Sequence, residues 1–78
     1  MPLSLDKPET LIDSSSILGY SYDSDSYELL VWYRGKKETI YRYLNVSPPV
    51  MSQIFDFSNS VGKEARKTLR GYPSIKLR

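Results

Sequence analysis

The chain has no cysteine and no histidine among its 78 residues. Without cysteine there are no disulfide staples, thiolate nucleophiles or thiolate metal sites. Without histidine the commonest metal ligand and the commonest acid–base catalyst are missing too. Ser–His triads, zinc fingers and haem sites with Cys or His ligands are therefore excluded. Long hydrophobic runs are also lacking: Leu29-Leu30-Val31-Trp32-Tyr33 falls far short of the about 20 apolar residues of a membrane span. The first residues carry neither a basic region nor an apolar core, so no signal peptide is read. These absences lead to the expectation of a soluble, cytoplasmic protein without cofactor or metal, a binding module and not an enzyme.

What is present makes one small domain. A chain this short buries only roughly 60% of its unfolded surface, and its core must come from a 40% apolar fraction. The net charge of +2 hides a gradient. Residues 1–30 carry one lysine against six acidic residues, a net of −5, whereas residues 31–78 carry ten basic and three acidic residues, a net of +7. Lys63, Arg66, Lys67, Arg70, Lys76 and Arg78 crowd the end around a single Glu64. Such asymmetry permits a basic surface on one part of the fold, suited to phosphates through counterion release. A merely solvated helix face reads the same way.

Residues 1–12 form a polar extension in which Pro2 and Pro8 disfavour helix; the domain proper is read as residues 13–78. Three extended runs follow, over residues 16–23, 27–34 and 38–46. Leu29, Val31 and Tyr33 share one face of the second, and Thr39, Tyr41 and Tyr43 alternate with Ile40, Arg42 and Leu44 in the third. The links Asp23-Ser24-Asp25-Ser26 and Gly35-Lys36-Lys37 are short, which favours antiparallel neighbours. The period then changes. Ser47-Pro48-Pro49 is a helix start, and Val50, Ile54 and Phe57, with Met51 and Phe55 beside them, form an apolar stripe. Ser60 begins a second helix running to Leu69, Gly71 fits the position after its end, and Pro73 the stop beyond. Residues 72–77 read as extended, able to return to the sheet edge. The fold class is α+β: a three-stranded antiparallel β-meander followed by one or two short C-terminal helices packed on one sheet face.

Catalysis has little to stand on. Asp23 and Asp25 look like turn residues, the glycine and closing glutamate of a calcium loop are missing, and Gly62-Lys63 lacks the upstream glycine and strand of a phosphate loop. The seven tyrosines are a stronger signal. On a strand, Tyr41 and Tyr43 point to one face and Arg42 to the other. Two rings on one sheet face can stack successive unpaired bases, or they can form the rim of a core beneath the helices. Alternation does not distinguish these. If the helices cover the tyrosine face, then Leu30, Trp32, Ile40 and Leu44 form a second apolar patch. That patch either docks a partner or second copy or lies under the N-terminal extension with its Leu3, Leu5, Leu11 and Ile12.

The ordered features Ser15-Ser16-Ile17, Tyr20, Tyr22-Asp23, Leu29-x-Val31-x-Tyr33, Gly35, Tyr41-Arg42-Tyr43, Val46, Ser60-x-Gly62-Lys63 and Arg70-Gly71-Tyr72-Pro73 resemble the KTSC domain. That short module is found at the C-terminus of some lysyl-tRNA synthetases and as a stand-alone protein. The resemblance implies RNA binding, through the attachment to a tRNA synthetase. Tyr41 and Tyr43 match the family's central YxY, and Lys63 the lysine after its Ser-x-Gly. The chain departs from the family in having Glu64-Ala65-Arg66-Lys67 where aromatic residues usually follow Gly-Lys.

The leading expectation is a non-catalytic nucleic-acid-binding module, with RNA ahead of DNA. Arg34, Lys36, Lys37, Arg42, Lys63, Arg66, Lys67 and Arg70 would contact phosphates; Tyr41, Tyr43 or Trp32 would stack. The alternative is a protein–protein or regulatory module that docks through Leu30, Trp32 and Ile40, or adds a strand to a partner's sheet. The chain itself would be a monomer or a homodimer.

Overall fold

A computed structural model describes residues 4–35, 37–56 and 60–77. Elements run in the order β1 (Thr10–Leu11), β2 (Ile17–Asp23), β3 (Glu28–Tyr33), β4 (Thr39–Tyr43), α1 (Pro48–Phe55), α2 (Val61–Leu69) and β5 (Ser74–Lys76). All pair antiparallel with their neighbours in one sheet, ordered β1-β2-β3-β4-β5. The α+β class and the central meander stand, but the sheet has five strands, not three. The two additional strands are short and lie at the edges. β1 has too few residues to carry a period-2 pattern, whereas β5 falls within the 72–77 stretch read as extended and returns to the sheet edge beside β4.

Both helices cover one face. There Ile17, Leu29, Val31 and Tyr43 from the sheet meet Met51, Ile54, Ala65 and Leu69 from the helices, and Val46 joins them. α1 is pinned to β2 by a stacked pair, Tyr20 on Phe55, with centroids 4.0 Å apart. The Tyr22 hydroxyl donates to the Val46 carbonyl just before α1 begins. The prolines start α1 as expected, yet neither Ser47 nor Ser60 caps its helix through its side chain. Gly71 does not take a left-handed conformation; the positive φ angles belong to Tyr27 (60°) and Asn45 (63°). Asn45 is a residue type that tolerates this region. Tyr27 ends a turn in which Asp23 Oδ1 accepts the N–H groups of Asp25 and Ser26. Those bonds hold the Asp23 carboxyl below its usual range.

The opposite face carries the second cluster, Leu30, Trp32 and Ile40, packed with Leu18. All three are buried, at 3%, 0% and 0% exposure. The apolar docking patch expected at Leu30, Trp32 and Ile40 is therefore not a surface. Part of the reason is the N-terminal extension, which is not separate from the domain. β1 pairs with β2, Pro8 is buried, and the Glu9 N–H donates to the buried Ser21 Oγ at 2.9 Å. Pro8 approaches Gly19 on β2, while Leu5 and Leu11 are exposed and Ile12 packs toward the other core. Leu3 lies outside the described residues, as do Lys36, Phe57 and Arg78.

Gly19 makes this crossing possible. A Cβ there would lie 2.7 Å from Pro8 Cγ and would also strike the Thr10 carbonyl oxygen. Gly19→Ala should destabilise the domain by about 1–3 kcal/mol and loosen the extension first. Hydrogen exchange at the Ile12 amide, which bonds the Leu18 carbonyl, would rise more than at mid-β3 amides. Unchanged exchange at Ile12 would show that the backbone absorbs the methyl elsewhere.

Candidate nucleic-acid interface

Cross-strand register sets the tyrosines. Tyr41 opposes Val31, Tyr43 opposes Leu29 and Tyr33 opposes Thr39, so Tyr33, Tyr41 and Tyr43 stand together on the helix-covered face. The Tyr33 and Tyr41 rings meet edge-on at 5.8 Å, and Tyr41 and Tyr43 lie tilted at 6.2 Å. The Tyr33 and Tyr43 hydroxyls share a hydrogen bond of 2.8 Å. Tyr43 is buried, whereas Tyr33 and Tyr41 are half-buried.

α2 lies beside this cluster. Its apolar positions Ala65 and Leu69 are buried, and its exposed side carries Lys63, Arg66 and Lys67, with Arg70 at its end. Glu64 is turned away toward α1. Its Oε1 accepts from Gln53 Nε2 at 3.2 Å and from Thr68 Oγ1 at 3.3 Å. Gly62 brings the first turn of α2 against residues 14–16, where a Cβ would collide with the Ser16 hydroxyl. Glycine weakens a helix start by its conformational freedom, and here that cost accompanies close approach.

Two adjoining cavities result. One, of about 410 Å³, is lined by Tyr33, Tyr41, Tyr43, Leu69 and Ser74, with Arg66 and Arg70. The other, of about 580 Å³, is lined by Ser16, Ser60, Gly62, Lys63 and Lys67, again with Arg66 and Arg70. An aromatic pocket and a basic groove thus share a wall of two arginines. Ligand pockets span about 300–1,000 Å³, so each is of ligand size.

The tertiary structure divides the expected site residues. Tyr41, Tyr43, Lys63, Arg66, Lys67 and Arg70 come together. Arg42 does not: it faces the opposite side, where its Nη2 lies 2.8 Å and its Nε 3.0 Å from Glu28 Oε2. Arg34 lines a separate cavity of about 310 Å³ with Leu18, Gly35 and Glu38. Lys37 is exposed at the β3–β4 hairpin, and Lys36 is outside the described residues. Trp32, fully buried, has no face for stacking. Sequence reading missed Tyr33, Ser16 and Ser74. Tyr33 was legible as sharing a face with Leu29 and Val31, but only the register places it beside Tyr41.

Burial pushes the Tyr33 phenol well above its usual range, and its bond to Tyr43 adds to this, while the Arg66 guanidinium pulls the other way. Burial also raises Tyr43. A phenol raised in the folded state stays neutral there while the unfolded chain ionises near pH 10. Stability is then fully present below about pH 10 and is lost as pH rises toward the folded-state values. Urea midpoints should fall between roughly pH 9 and 11, and Tyr33→Phe should flatten that fall. An equal fall in both proteins would assign it to other groups.

A crystal structure of a KTSC domain protein from Yersinia pestis matches with a TM-score of 0.75 and 27% identity, over 88% of this chain and 94% of that one. That likeness in fold and sequence supports the resemblance to the KTSC domain family. No family model and no curated protein sequence matches it. In this chain the two tyrosines of the central YxY and the lysine after Ser-x-Gly line adjoining cavities. The charged Glu64-Ala65-Arg66-Lys67 stretch keeps one apolar anchor, Ala65, and contributes Arg66 to the wall between them. Among the described residues there is no cluster of three or more metal-ligating side chains and no helix long and apolar enough to cross a membrane.

Proposed function

We propose that this domain is a non-catalytic module that binds single-stranded RNA through the face formed by β4 and α2. One observation carries the reading: an aromatic pocket and a basic groove adjoin and share Arg66 and Arg70. Unpaired nucleic acid offers flat bases and regularly spaced phosphates, and proteins that bind it combine aromatic stacking with a positive groove. The apolar strand face on which a protein-docking role would rest is buried.

The test is an amide-shift titration with short mixed single-stranded RNA at about 50 and about 200 mM salt. Shifts at residues 41–43 and 63–70 that weaken as salt rises are expected. Flat spectra at both salts would end the RNA reading. Tyr41→Ala should lower affinity by about 1–3 kcal/mol, the worth of one stacked base, and leave the fold intact because Tyr41 is half-buried. Unfolding of that variant would make Tyr41 a core residue and remove its stacking role.

A further inference from the structure

The two tyrosines of the YxY triplet do not form the two-base platform that their spacing suggests. Tyr43 is buried, and its hydroxyl is tied to Tyr33. Tyr33 in turn meets Tyr41 edge-on. With Tyr43 covered and the Tyr33 hydroxyl tied to it, Tyr41 is the ring best placed to take a base. The pocket around it is closed on one side by Ser74 of β5 and on the other by α2 through Leu69, Arg66 and Arg70. Within this pocket Tyr33, Tyr41 and Tyr43 are the aromatic residues of the lining, and Tyr43 is buried. Phosphate binding is provided next door, in the groove of Lys63, Arg66, Lys67 and Arg70. Since Arg66 and Arg70 border both cavities, a ligand that fills both must carry an aromatic ring and a phosphate joined by a short linker.

Resting on the RNA reading, we propose that the recognition unit of this face is a single nucleotide, its base in the tyrosine pocket and its phosphate in the groove beyond Arg66. The ligand class is the nucleoside phosphate. RNA engages one extruded or terminal nucleotide at a time, rather than a run of stacked bases or a duplex. Arg66 couples the two halves: it borders both cavities and belongs to the exposed side of α2, so its removal leaves the core untouched.

The experiment compares adenosine monophosphate, adenosine, inorganic phosphate and a short single-stranded RNA on the isotope-labelled full chain at one salt concentration. Adenosine monophosphate should shift amides at both residues 41–43 and 63–70, and saturate at least roughly tenfold below adenosine or phosphate, about 1.4 kcal/mol, since it makes both the phosphate contact and the stacked ring. RNA should shift the same residues and recruit no second aromatic site. In Arg66→Ala, with a native-like spectrum, adenosine monophosphate should bind no better than adenosine. RNA binding with adenosine monophosphate no better than phosphate would overturn the single-nucleotide unit and leave the RNA reading standing. Adenosine monophosphate binding without RNA binding would overturn the RNA reading and keep the nucleotide site. Silence from both would end both.

Discussion

Replacing Trp32 with alanine should cost the domain about 3–5 kcal/mol, the range for a large aromatic removed from a core. A chain of this length has roughly 4–12 kcal/mol in total, so much of the variant would be unfolded at physiological temperature. Trp32 is wholly covered, between Gly19 on β2 and Ile40 on β4, in a cluster of four apolar side chains among the described residues. So small a cluster has little material with which to close the void. Trp32→Phe separates volume from polarity. The indole Nε1–H is buried and has no partner among the described residues, and an unmet buried donor costs about 1–3 kcal/mol. Phenylalanine loses ring volume but removes that donor, so its loss should be well under half that of alanine. Urea denaturation followed by circular dichroism reads both. An unchanged midpoint for Trp32→Ala would mean that this face is open and available to a partner after all.

The double variant Arg66→Ala, Arg70→Ala should weaken RNA binding by about tenfold or more at about 50 mM salt, and reduce the slope of log affinity against log salt by about 1.4, two phosphates at about 0.7 each. Both guanidinium groups border the aromatic pocket and the basic groove, and their residues are exposed, so stability should hold. Arg42→Ala is the decisive control. It also removes a positive charge, but from the other face, where Glu28 already neutralises it. It should leave affinity within about a factor of three, less than half of the 1.4 kcal/mol that a tenfold change represents. If Arg42→Ala weakens binding as much as Arg66→Ala does, attraction to net charge, not a site, explains the binding.

Much of the local structure was legible because it is periodic or punctuated. Leu29, Val31 and Tyr33 alternate, Pro48 and Pro49 mark a helix start, and the β2, β3, β4, α1 and α2 segments lie within a few residues of their expected bounds. Lys63, Arg66, Lys67 and Arg70 were readable as one charged stretch. Arg42 was misplaced because its neighbours in sequence are the tyrosines, while its neighbour in space is Glu28, fourteen residues earlier. β1 was missed because its pairing rests on hydrogen bonds to β2 and on the bare Gly19 that lets Pro8 approach. None of these has a local signature.

The sequence by itself determined the chemistry excluded by missing cysteine and histidine, the α+β class, the central meander and the two-faced character of β3 and β4. These follow from composition and from periods of 2 and 3.6, which each segment carries alone. Only the tertiary structure decided which face the helices cover, which arginines converge on the tyrosines and that the Trp32 face is closed. Alternation separates two faces of a strand but attaches no label to either. The label comes from what packs on each face, and here that was settled by residues far away in the chain: α2 over Tyr33, Tyr41 and Tyr43, and the N-terminal extension across Gly19.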